Sequence, residues 1–198
     1  LPINPKKEQL KNAYYKNTEI GKVGYYALTK KDDVKVELTC SERVAFHQYT
    51  FPDNGAQVYV DLQHGLRFLF DEQSQQGLVI ESDVKIENNT TISGFCATQN
   101  WVSRKYYFTI TFDQPFINLN HLDPKPKDKA PKYLLDFTLA NNKILKVKIA
   151  LSSVAVDGAK LNMQTEIPHW NFEKVYQSNL ASWETYLDKI NIEAPLKQ

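Results

Sequence analysis

Short runs that alternate apolar and polar residues with a period of two, each closed by a turn signal, recur along most of this chain. That rhythm confines it to an antiparallel β architecture. The run Val34-Lys35-Val36-Glu37-Leu38-Thr39-Cys40 shows it most clearly. Residues 25–29 precede it across Lys31-Asp32-Asp33, and 45–51 follow, closed by Pro52-Asp53-Asn54-Gly55, a strong turn signal. Similar runs occupy 58–62, 84–86, 91–95, 105–112, 133–139 and 144–151. Asn88-Asn89 and Asn141-Asn142 separate neighbouring runs, and asparagine tolerates the left-handed backbone of tight hairpins. Many short strands, each with one apolar face, are satisfied by packing two sheets together, so the predicted fold is mainly β, an antiparallel β-sandwich.

Composition narrows the function classes. The 24 Lys and Arg nearly cancel the 23 Asp and Glu, leaving +1, which is not the one-signed field of a nucleic-acid binder or a polybasic membrane-surface protein. Hydrophobic residues make up 42% of the 198, and this supports a packed core and excludes disorder. No apolar run approaches the ~20 residues of a membrane-spanning helix. The only methionine is Met163 and the chain opens Leu1-Pro2-Ile3, so Leu1 is expected to follow a processing cut or a chosen boundary. Two cysteines, Cys40 and Cys96, have no zinc-type spacing and are expected to be free, small buried hydrophobes.

The tail changes period. A short helix is predicted from Val156, with Asp157 as its N-cap and Leu161 folding back on Val156, and Pro168 ends it. A longer helix starts at Asn171, with Trp170 set to pack on Val175. Its apolar residues Phe172, Val175, Tyr176, Leu180, Trp183, Leu187 and Ile190 fall on one face. That face must cover something, either the sandwich or a domain outside this chain. Residues 1–22 are expected to be irregular, 23–155 to form the sandwich, 156–191 the helical segment and 192–198 a linker.

Chemistry is sparse. None of GxSxG, HExxH, a P-loop, GxGxxG or an EF-hand loop is present. His47, His64, His121 and His169 are scattered, and His47 between Phe46 and Tyr49 reads as a satisfied core or rim histidine. Asp61 and His64 at a strand end are explained equally well by a turn. Asp32-Asp33 and Asp71-Glu72 are adjacent in sequence and read as solvated turn charges, whereas glycoside hydrolysis needs two carboxyls facing each other across a sugar. No catalytic or metal-binding residue can be nominated. Trp101, after Gln99-Asn100, is the one candidate for substrate binding: an aromatic ring in a loop can stack on a sugar, or it can plug one end of the sandwich.

The order of several segments carries further information. Glu19, Gly24, Tyr25 and Tyr26 resemble an E-x-A-x-P-G-Y-Y segment, and residues 36–52, VELTCSERVAFHQYTFP, are similar to V-E-L-T-A-T-E-R-V-G-F-H-R-Y-T-F-P. Asp61-Leu62, Ile92-Ser93-Gly94-Phe95, Asn100-Trp101-Val102, Phe112-Asp113-Gln114-Pro115-Phe116, residues 147–154 and Glu166-Ile167-Pro168-His169-Trp170-Asn171-Phe172 continue the series. All are similar to glycoside hydrolase family 92, the calcium-dependent α-mannosidases, in the same order. Cys40 departs from the family's Ala, Val23 from its Pro, and Phe95-Cys96 from its Tyr-Arg.

The resemblance implies a sandwich of the galactose-mutarotase-like type with one short and one longer C-terminal helix. It also implies a fragment: the later part of an N-terminal sandwich whose catalytic (α/α)6 barrel lies beyond residue 198. Catalytic acid, base and calcium ligands would belong to that barrel, so no cofactor is expected in this chain. The barrel of the same polypeptide would be its partner and α-mannoside glycans the parent's substrate. The resemblance further implies a secreted, periplasmic or cell-surface location. A stand-alone carbohydrate-binding sandwich remains the alternative reading.

Overall fold

The computed structural model of the chain describes residues 1–6, 13–62, 78–99, 103–122 and 130–190. Among them, two antiparallel sheets face each other. The smaller runs in the order β1 (Pro2–Ile3), β6 (Gly55–Asp61), β11 (Lys132–Thr138), β10 (Phe116–Leu122). The larger begins with β2 (Tyr14–Lys22), β3 (Tyr25–Lys30), β4 (Lys35–Cys40) and β5 (Val44–Thr50). It continues with β12 (Ile144–Ser152), β9 (Ser103–Phe112), β8 (Thr91–Gln99) and β7 (Leu78–Asn88). Helices α1 (Val156–Glu166) and α2 (Phe172–Leu187) follow the last strand.

Strand alternation makes the larger sheet two-sided. In β5 and β12, Tyr49, Leu145 and Val147 point into the sandwich, where they join Phe51, Phe112, Leu135 and Phe137. The Phe112 and Phe137 rings lie 5.0 Å apart in a tilted pair, a favoured aromatic geometry. The intervening residues Val44, Phe46 and Ala150 point the other way, into a second cluster with Ala159, Met163, Ile167, Phe172 and Val175 of the helical segment. Two lysines of β12 share that outer face. Lys148 Nζ donates to the Ile167 carbonyl at 3.0 Å and sits 4.1 Å above the Trp170 ring; Lys146 Nζ donates to the Trp170 carbonyl at 2.8 Å. The last turn of α1 has no basic residue of its own, so the strand supplies the cation that the negative helix end favours. Burial pushes the Lys148 ammonium below its ordinary pKa.

Several sequence expectations change here. Residues 1–22 are not irregular throughout, because they hold β1 and β2. The latter is a solvated edge strand with a register break between Tyr15 and Ile20, which erases any period of two. Asp32 is not a solvated turn charge. It is 4% exposed, pairs with Lys30 Nζ at 2.7 Å and accepts from the Asn4 backbone N–H, while Lys30 also donates to the Pro2 carbonyl. These bonds tie the amino-terminal strand of one sheet to the β3–β4 turn of the other. In that turn the left-handed residue is Asp33, at φ 66°. In the 140–143 turn it is Lys143, at φ 56°, and neither asparagine. Asp157 does not cap α1: Ala155 is the N-cap, and Ser152 Oγ accepts from the backbone N–H of Val154 at 3.1 Å. Leu161 is 61% exposed and makes no staple. Asn171 does cap α2, its side chain accepting from the Lys174 N–H at 3.0 Å.

Candidate functional site

Trp101 and His64 lie outside the described residues, as does the Asp71-Glu72 pair. On the face of β8 and β9 that turns away from the sandwich core, the Phe95 and Tyr107 rings lie 6.1 Å apart, and Lys105 Nζ stands 3.5 Å from the Phe95 centroid. Lys105 also approaches Glu81 at 3.6 Å. The aromatic patch is thus half-buried and its Phe95 ring is capped by a cation. Gly94 lets β8 pass this close to β7: a Cβ there would stand 2.0 Å from the Asp83 carbonyl oxygen.

A concave region lies elsewhere among the described residues, beside α2. A groove of about 880 Å³ runs between the β4–β5 turn, the end of α1 and the flank of α2. Its floor is an ionic lock that sequence reasoning missed. Glu166 Oε2 accepts from Ser41 Oγ at 2.6 Å and from the Arg43 backbone N–H at 2.9 Å, and Oε1 accepts from Arg43 Nε at 2.5 Å. Burial opposes the Glu166 charge, but the bonds from Ser41 and Arg43 outweigh it and hold the carboxyl below its ordinary pKa. The lock gives a physical meaning to two segments quoted above, since Ser41-Glu42-Arg43 and Glu166-Ile167-Pro168 close on each other although 123 residues separate Arg43 from Glu166. Their partnership across that distance was not legible without the fold.

Other carboxylates are similarly occupied. Glu37 accepts from Tyr25 Oη at 2.8 Å and Gln48 Nε2 at 3.2 Å and pairs with Lys35, bonds that outweigh burial and keep it ionised. Glu87 is engaged by Ser93, Lys160 and Lys85, which draw its pKa down to about 2. No group of three or more His, Cys, Asp or Glu side chains among the described residues is arranged to hold a metal ion. Calcium needs six or more oxygen ligands with carboxylates among them, and these carboxylates are committed to cationic and hydroxyl partners. The described residues therefore do not fit a calcium ion.

His47 is indeed a satisfied histidine, its Nδ1 2.7 Å from the Tyr49 hydroxyl. His121 stacks on Tyr133 at 5.0 Å, and His169 Nδ1 accepts from the Asn171 N–H. Both cysteines are free. Contrary to expectation, Cys40 is exposed and not core; it lines the groove and its Sγ lies 3.5 Å from Asn179 Nδ2. Cys96 is half-buried, and burial pushes its thiol pKa up.

The described residues form a two-sheet antiparallel sandwich backed by two helices. Residues 2–152 match the Glycosyl hydrolase family 92 N-terminal domain, and the chain belongs to that family. It is 26% identical over 194 residues to an uncharacterized secreted glycosidase of Arthroderma benhamiae, covering 86% of this chain and 25% of that protein. Its fold superposes on the family GH92 α-mannosidase BT3965 of Bacteroides thetaiotaomicron with TM-score 0.77 and 25% identity, covering 92% of this chain and 26% of that one. The inverting mannosidase BT2199 of the same bacterium shows the same fold, with TM-score 0.75 and 18% identity over 91% of this chain and 24% of that one. The chain thus spans about a quarter of the length of the relatives it matches.

Proposed function

We propose that this chain is the non-catalytic sandwich of a secreted, exo-acting α-mannosidase, bracing the (α/α)6 catalytic barrel and forming one wall of the sugar pocket. The observation that carries the reading is the family match over 2–152 in a chain that spans only about a quarter of the α-mannosidase BT3965. On this reading the general acid, the base that activates water, and the calcium that supplies Lewis acidity to the sugar hydroxyls all reside on the barrel, and hydrolysis proceeds with inversion. The chain's own contribution is chiefly mechanical: it presents a two-sided sheet, with Asp32, Glu37, Glu87 and Glu166 held by internal partners. Trp101 is the side chain we assign to sugar contact at the pocket wall.

The test compares this 198-residue chain with the polypeptide of its complete reading frame on an aryl α-mannoside. The complete polypeptide is expected to turn over the substrate and to lose that activity in a chelator, and the shorter chain to show none. Turnover by the shorter chain contradicts the reading. Titration with mannose or mannobiose at millimolar concentration is expected to leave the tryptophan fluorescence of the isolated chain unchanged. A saturable response would favour the stand-alone carbohydrate-binding module instead.

A further inference from the structure

Of the fifteen asparagines in the chain, two open an N-x-S/T acceptor sequence, and they are neighbours. Asn88-Asn89-Thr90 and Asn89-Thr90-Thr91 overlap at the turn between β7 and β8. A tight hairpin would explain asparagine there through its tolerance of the left-handed backbone. That explanation fails, because the described non-glycine residues at positive φ are Asp33 and Lys143, and neither Asn88 nor Asn89 is among them. The turn is held through its backbone instead. The Asn89 carbonyl accepts from the Phe116 N–H and the Thr90 carbonyl from the Phe112 N–H, each at 2.9 Å, while both asparagines are exposed.

Within the first acceptor sequence the asparagine and threonine are already joined. Asn88 Oδ1 accepts from the Thr90 backbone N–H at 2.8 Å and from the Thr90 hydroxyl at 2.9 Å. Both bonds fall on the amide oxygen and leave the nitrogen, Nδ2, as the atom that can react. Hydrogen bonds to that oxygen favour the deprotonated amide and so make its N–H more acidic, which an amide nitrogen needs before it can act as a nucleophile. Two large apolar side chains close to the turn in the fold are uncovered. Ile86, two residues before Asn88, is 52% exposed, and Ile117, next to the Phe116 that bonds the turn, is 61% exposed. A bulky polar group rooted at the turn would shield such residues from association.

We propose that Asn88 is an N-glycosylation site. Its Nδ2 attacks the anomeric carbon of an oligosaccharide carried on a polyisoprenyl pyrophosphate, in the site of an oligosaccharyl transferase. The C–N bond forms, and the bond from that carbon to the pyrophosphate oxygen breaks with its electron pair on the pyrophosphate. The Nδ2 proton passes to a base of the transferase. Oδ1 stays a carbonyl oxygen, so both bonds from Thr90 survive and the turn keeps its shape. The proposal rests on the secreted part of the functional reading, because such transferases act on exported chains.

Lys85 and Arg104 bound the tryptic peptide that holds the turn. The complete polypeptide is produced in yeast behind a secretion leader, and peptide N-glycosidase in heavy-oxygen water marks the modified residue by mass. The mark is expected on Asn88. It is expected to be lost in Thr90→Val, which removes the hydroxyl of the first acceptor sequence and keeps the second. It is expected to persist in Thr91→Val, which does the opposite, and in Thr90→Ser, which keeps a hydroxyl. An unmarked peptide, or a mark on Asn89 alone, overturns the proposal. Export is read separately, with the polypeptide's own amino terminus in place of the leader. A chain exported by its own terminus yet bare at Asn88 refutes the modification and leaves secretion standing. A chain that stays in the cytosol yet is marked behind the leader refutes secretion and leaves Asn88 an acceptor.

Discussion

At His47 the surroundings decide what an imidazole does. The ring is held between the inner face of β5 and the Tyr49 hydroxyl, and its pKa falls to about 4, through burial first and the nearby amino terminus second. Tyr49 is pushed up by its own burial. A folded pKa below the unfolded value near 6.5 means that the unfolded chain binds the proton more readily. The stability contributed by neutral His47 is therefore complete above pH 6.5 and is lost as pH falls through 6.5 toward 4, by at most about 3 kcal/mol. Urea midpoints at pH 7 and pH 5 are expected to differ clearly in the natural sequence and much less in His47→Gln. The lowered carboxylates Glu37, Glu87 and Glu166 act in the same direction but only below about pH 4.5. The Leu1 amino group, lowered from 8.0 to about 6 by burial, acts in the same direction between pH 8 and 6, so the histidine's share is the part of the difference that His47→Gln removes. The sequence already showed His47 as a satisfied residue because its neighbours Phe46 and Tyr49 bracket it. Asp32 and Cys40 misled for the opposite reason: their environments come from Lys30, Asn4 and Asn179, and only the folded topology sets those beside them.

Elements were legible where the apolar residues keep a regular period. The alternation of β4 and the helical stripe of α2 do so, β5 and β12 alternate although both of their faces are covered, and each element forms where its pattern predicts it. Edge strands gave no such signal. β2 is mostly solvated, and β10 carries a register break between Phe116 and Asn118 with Ile117 61% exposed, so neither keeps a period of two. The candidate site was less legible than the elements, since its lock joins the β4–β5 turn to the C-terminal end of α1. That lock has a measurable weight. Glu166→Ala strands the Ser41 hydroxyl and two Arg43 donors at a part-exposed site, where lost hydrogen bonds cost about 1–2 kcal/mol. For a chain of this size the melting temperature is then expected to fall by roughly 2–8 °C. Glu166→Gln, which keeps an acceptor oxygen, should fall less. Equal melting temperatures for Glu166→Ala and the natural sequence would show that the lock carries no stability.

At the scale of the whole molecule, the larger sheet is the shared wall of two cores. β5 sends Tyr49 into the sandwich and Phe46 under the helices, and β12 sends Leu145 and Val147 one way and Ala150 the other. Neither core can be dismantled without moving the strands that hold the other, so sandwich and helices are expected to unfold as one unit and not as a stable sandwich with a detachable tail. Phe46 tests this best: it is fully buried, and it contacts Trp170 at 5.9 Å and Phe172 at 5.5 Å between ring centroids while belonging to a central strand. Phe46→Ala removes a large buried ring from the helix side and is expected to cost about 3–5 kcal/mol. In urea, with Trp101→Phe as the background so that emission senses Trp170 and Trp183 of the helical segment, tryptophan emission and far-ultraviolet circular dichroism, dominated by the strands, should then shift to lower midpoints together. If the tryptophan transition moved and the strand transition stayed where it is in the natural sequence, the two cores would be separate cooperative units. The helical segment would then be a layer added to a self-sufficient sandwich. Coincident shifts would mean that α2 is anchored to the most stable part of the domain.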